Sequence, residues 1–137
     1  MGSPGNTDLR GDGSGQEQHA EWFEIYNTTN SPIVMDGWKF TDASGSGSYT
    51  VDSFTLGAGS YAALAGYNVP PANGGVIFDH FYTYKELSFN NESTYSGGGD
   101  SCPDGIVLTK PDTVTTNEDG STTTEDGPLV DQVLYDY

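Results

Sequence analysis

The chain has 137 residues, enough for one domain with a real core. Its apolar fraction is a low 34%, carried to an unusual degree by rings: nine Tyr, six Phe and two Trp. Four Lys and Arg oppose twenty Asp and Glu, and the net charge of −16 excludes a direct hold on nucleic-acid phosphates and disfavours anionic membranes. Such a surface suits solubility, high-salt or calcium-rich surroundings, or a cationic partner. Cys102 is the only cysteine, so there is no internal disulfide and no cysteine-based zinc site. No run reaches the ~20 apolar residues that span a bilayer, so no membrane insertion is expected.

Residues 1 to 20, MGSPGNTDLRGDGSGQEQHA, are nearly without apolar side chains and read as a polar loop or tail. The tripeptide Arg10-Gly11-Asp12 matches an adhesion-receptor motif that is also common by chance. Residues 21 to 27 alternate: Phe23 and Ile25 share one face, Trp22, Glu24 and Tyr26 the other. Asn27 ends this strand, since its side chain caps turns readily. Residues 33 to 40, IVMDGWKF, form the next extended segment, with Gly37 allowing a kink before Trp38.

YTVDSFTL, residues 49 to 56, is strand-like. Gly57 and Gly59 then supply positive φ for a tight reversal into SYAALAGY. Ala-Ala-Leu-Ala between glycines is too short for a stable helix and reads as strand. VIFDHFYTY is a short, buried-looking run, KELSFNN leads into a glycine-rich loop, and IVLTKP follows. The polar segment 112 to 126, with Thr-rich arms flanking NEDG, reads as a protruding hairpin, and a disordered insertion is the alternative. GPLVDQVLYDY closes the chain as a final strand. Short strands with frequent turns and no helix-period segment predict an all-β chain, a sandwich of antiparallel strands.

Five blocks stand in order: EWFEIYN, DGWKFTD, FTLGAGSYAALAG, LSFNN with DGIVLTKP, and LVDQVLYDY. Together they resemble the lamin tail domain family in its prokaryotic form. The resemblance implies an immunoglobulin-like β-sandwich over residues 21 to 137. In that pattern Phe23 and Ile25 face the core and Trp38 fills space between the sheets. Asp131 is expected at an edge or hydrogen-bonded, because a buried unpaired carboxylate is costly. The family pattern opens with one more strand, which would be finishing where residue 1 stands. The expectation is therefore a sandwich lacking its first strand, through trimming, loss, or supply by a neighbouring chain.

No catalytic constellation is legible. There is no G-x-S-x-G and no H-E-x-x-H, and Glu21 and Glu24 fall on opposite strand faces, so no enzyme is expected. Calcium is the one cofactor the acidic loops suggest, with Asp8, Asp12 and Glu17 as candidate ligands, although none of these loops has EF-hand spacing. Asn27-Thr28-Thr29 and Asn91-Glu92-Ser93 fit the glycosylation pattern. Asn91 is the better acceptor, because turn-capping already explains Asn27. The resemblance implies a non-catalytic interaction module on an extracellular or cell-surface protein, since prokaryotic members commonly decorate such proteins. Proteins or glycans would be bound through the aromatic run Phe78, His80, Phe81, Tyr82 and Tyr84. The alternative is a repeating structural subunit of a fibre or surface layer, assembled by strand exchange between chains.

Overall fold

The computed structural model describes residues 21–43, 45, 47–68, 75–83, 86–87, 89 and 104–135. Eleven strands and no helix occur among them. The first layer has the order β1 (Trp22–Tyr26), β6 (Tyr61–Ala65), β7 (His80–Phe81). The second has the order β11 (Leu129–Tyr135), β8 (Asp104–Thr109), β3 (Lys39–Asp42), β4 (Ser48–Thr50). A ladder of β2 (Ile33–Val34) with β5 (Thr55–Leu56) closes one corner, and β9 (Thr113–Thr116) and β10 (Thr122–Glu125) form a separate hairpin. This is an immunoglobulin-like β-sandwich, antiparallel throughout its pairings except for β6 with β7.

Period-two alternation builds the core. Phe23 pairs with Leu64 and Ile25 with Ala62, so these four side chains share the inner face of the first layer. Phe40 pairs with Tyr49 on one side and Leu108 on the other, giving the second layer its inner face. The faces meet at the Phe23 and Phe40 rings, edge to face with centroids 5.0 Å apart. Tyr82 and Phe89 extend the cluster, at 5.4 and 5.8 Å from the Phe23 ring. Phe23 is fully buried as expected, whereas Ile25 and Trp38 are only half-buried at the margin of the cluster.

Two segments that read as single strands are each split at a corner. Residues 33 to 40 divide into β2 and β3, and residues 49 to 56 into β4 and β5. Main-chain bonds hold the segments together across the bend, from Gly37 N to Val51 O (2.9 Å), Val51 N to Trp38 O (2.8 Å) and Met35 N to Phe54 O (2.9 Å). Gly37 turns the corner with φ of 79°, and a Cβ there would also press on Pro111 at 3.3 Å. Gly59 takes positive φ as expected, but Gly57 does not. A Cβ on Gly57 would meet Ser60 Oγ at 2.9 Å, a contact that rotation of the serine side chain can relieve.

The β9–β10 hairpin is exposed along both arms. Its tip is set by Asn117 N donating to Ser121 O and by Gly120 at φ of 82°. Its base is clasped by Lys39, whose ammonium lies 2.9 Å from Asp112 and 3.3 Å from Asp126. The hydrogen bond from Lys39 holds the Asp112 carboxyl below its ordinary value, helped by the Gly127 N–H.

Candidate functional site

A groove of about 540 Å³ opens between the edges of the two layers. Strand β1 ends one sheet and β11 ends the other, and both border this groove. Its floor is apolar: Ile25, Trp38, Ile106 and Leu108, all partly buried against the core. On the β11 lip Val130 and Val133 stand 43% and 60% exposed. The acidic groups along it are Glu24 and Asp131, and among the described residues no Lys or Arg borders it. Asp131 lies on the exposed edge, where its Oδ1 accepts the Gln132 N–H at 2.9 Å.

At one end of the groove Asn27 organises the turn that follows β1. Its side chain is 2% exposed and fully engaged. The amide Nδ2 donates to Ser31 O (2.8 Å), Gly57 O (2.9 Å) and Leu56 O (3.3 Å). Its Oδ1 accepts from Thr29 N (2.9 Å) and Thr29 Oγ1 (2.8 Å). A buried amide so committed offers no nitrogen for a glycan. Asn91, the other candidate acceptor, lies outside the described residues.

A second recess, about 390 Å³, is lined by Ser48, Tyr49, Thr50, Asp52, His80, Phe81, Thr83 and Glu86. Here Tyr49 Oη and His80 Nε2 are 2.7 Å apart, and Asp52 lies 4.0 Å from the same nitrogen. Burial pushes the Tyr49 hydroxyl up to about 12, with Asp52 and Glu86 adding to it. Burial lowers the His80 imidazole below its ordinary value, against an opposing pull from Asp52. Both shifts favour a neutral pair in which the phenol donates to Nε2. The unfolded imidazole protonates near 6.5, and the folded one only at lower pH. The stability that neutral His80 contributes is therefore complete above about pH 6.5 and is lost as the pH falls towards the folded value. Wild-type chain should lose melting temperature between pH 7.5 and 5.5 relative to a His80→Phe variant. Equal losses in the two would contradict this.

The aromatic run is divided between surface and core. Phe81 is exposed at 43%, and Phe78 and His80 are half-buried. Tyr82 is at 0%. Its N–H donates to Ala65 O just after β7, which turns the ring inward onto Phe23 and Phe89. Tyr82 is thus a packing residue and not a contact surface. Tyr84 lies outside the described residues, as do Asp8, Asp12 and Glu17. Among the described residues no three His, Cys, Asp or Glu side chains gather as a metal site.

Sequence reasoning missed the groove and the Tyr49–His80 pair. The signal for the groove was present in LVDQVLY, where apolar residues fall on both strand parities. The Tyr49–His80 pair joins strands thirty-one residues apart and had no local signal.

The family model of the Lamin Tail Domain matches residues 7–135. Neither the curated proteins nor the solved structures contain a match to the chain.

Proposed function

Because the chain belongs to the Lamin Tail Domain family, whose members are non-catalytic immunoglobulin-like modules, we propose that it is an interaction module on an extracellular or cell-surface protein, binding a protein partner through the β1–β11 groove. The observation that carries this reading is the groove itself, apolar in its floor and bordered by two sheet edges that no described strand covers. An extended polypeptide satisfies both features at once, because its backbone pairs with an edge and its side chains fill the floor. The extracellular setting rests on the likeness to prokaryotic members and on the strongly acidic surface, which suits solubility outside the cell. Glycans are the other partner class, and the recess beside Phe81 is where one would bind.

The test is retention of cell-exterior proteins, and binding on a glycan array, by the immobilised chain and by two variants. Val133→Asp alters an exposed groove position, and Phe81→Ala alters the recess. Protein retention lost only in Val133→Asp is the expected result. Retention indifferent to both variants, or none at all, would overturn the reading.

A second reading, a repeating subunit joined by strand exchange between copies, is favoured by the same free edges. It predicts a mass that rises with concentration in light scattering and filaments in negative-stain micrographs.

A further inference from the structure

We propose that the groove accepts, from another polypeptide, an extended segment that is apolar at alternate positions and basic between them, held by backbone pairing to β1. This rests on the groove being the interaction site and names the chemistry of its occupant.

The backbone decides the form of the ligand. In the antiparallel ladder with β6, Asn27 N donates to Ser60 O and Glu21 O accepts from Gly66 N. Odd-numbered residues of β1 therefore turn their amides towards β6. By alternation Trp22, Glu24 and Tyr26 turn their N–H and C=O groups away from it, towards the open side of the strand. No described strand pairs with them there. A lipid or a drug-like molecule would fill the apolar floor and leave those donors and acceptors without partners. A strand supplies both. At roughly 3.3 Å per residue, the five residues of β1 take an occupant segment of about five or six residues.

Period-two side chains then fix the pattern. Every second residue of the occupant falls on Ile25, Trp38, Ile106 and Val133 and must be apolar. The residues between stay near water, on the face of β1 that carries Glu24, and among the described residues no Lys or Arg lines the groove to offset it. Lys or Arg at those positions complements the lips and the overall charge of −16.

Residues 1 to 20 and 90 to 103 do not fit that pattern. Residues 1 to 20 contain Met1, Leu9 and Ala20 as their apolar side chains, and residues 90 to 103 contain Tyr95 and Cys102, with no alternation in either. A second copy brings another net charge of −16. Its most apolar exposed strand, β11, carries Asp131 and no cation.

The experiment titrates the whole chain, by calorimetry in about 0.15 M salt, with three nine-residue synthetic peptides. One alternates Lys with Val and Ile, one replaces every Lys by Glu, and one replaces the central residue of the first by Pro. The basic peptide is expected to bind, with the Glu and Pro peptides each weaker by about tenfold or more. Val133→Asp is expected to weaken the basic peptide about tenfold although it adds negative charge, which separates groove binding from general attraction. Glu24→Lys should weaken the basic peptide and strengthen the Glu peptide. Equal binding of the basic and Glu peptides, or tighter binding by Val133→Asp, would overturn the proposal. So would a dimer of the chain alone that Val133→Asp dissolves, which would make the occupant a second copy. If no peptide binds while Val133→Asp still abolishes retention of exterior proteins, the occupant is wrong and the interaction site stands. If retention is absent as well, both fall.

Discussion

Replacing Phe40 by alanine is expected to remove about 3–5 kcal/mol of folding stability. Phe40 is 1% exposed on β3, an inner strand of the second layer with β4 on one side and β8 on the other. Its ring meets Phe23 edge to face and so joins the two layers at their centre. Truncation removes the buried area and leaves a cavity beneath β3, a strand held on both sides, which limits collapse. A domain of this size has on the order of 5–15 kcal/mol in all, so the variant keeps little margin. Urea unfolding should show a midpoint far below wild type with an unchanged slope. Phe40→Leu keeps most of the volume and should cost less than about 2 kcal/mol. A Phe40→Ala loss below about 1 kcal/mol would mean that the layers are not packed at this ring.

Much of this core was legible because alternation in a half-buried strand is written residue by residue. Phe23 and Ile25 could be placed on one face from five letters, and Leu64 could be assigned to a strand because glycines leave no room for a helix. What alternation does not carry is a change of sheet. The corner at Met35–Trp38 keeps the apolar rhythm while the chain passes from one ladder to another, so one strand was read where there are two. Tyr82 was read both within a buried-looking run and as a contact residue, and only the first holds. Its burial follows from the parallel pairing of β6 with β7, which no local pattern encodes. Glu21 is a similar case. Its carboxylate is 3% exposed and accepts the Phe89 N–H at 3.1 Å from sixty-eight residues away.

The groove was missed, despite the apolar residues on both parities of LVDQVLY, because it lies between edges. Val130 and Val133 look like core residues in a list of letters, and most apolar side chains of a closing strand are core. Their exposure follows from β11 standing last in its sheet and β1 last in the other. That is a statement about strand order, which is set by pairings across most of the chain. The turn at Asn27 was different. A polar residue closing an alternating run announces a cap, although its reach to β5 did not show.

Asn27→Ala is expected to cost about 3 kcal/mol, because several bonds fail together and some of the groups left behind are buried. The amide joins three separate pieces of main chain: the turn after β1 at Thr29 and Ser31, the end of β5 at Leu56, and the reversal at Gly57. Leu56 is 5% exposed, so its carbonyl has little access to water once the donor is gone. Asn27→Asp is the informative companion. It keeps an acceptor for the Thr29 N–H and hydroxyl but sets a carboxylate against the Ser31, Leu56 and Gly57 carbonyls, where the amide had donated. It should therefore be at least as damaging as alanine near neutral pH, and should recover part of the loss once the carboxyl is protonated in acid. An amide serving only as a surface turn former would give the opposite order, with aspartate nearly neutral and alanine mild. Thermal melts of the two variants near pH 7 and near pH 4 separate these outcomes. Amide exchange should further show the β1–β6 ladder opening first from the Tyr26–Tyr61 end, where the lock is lost.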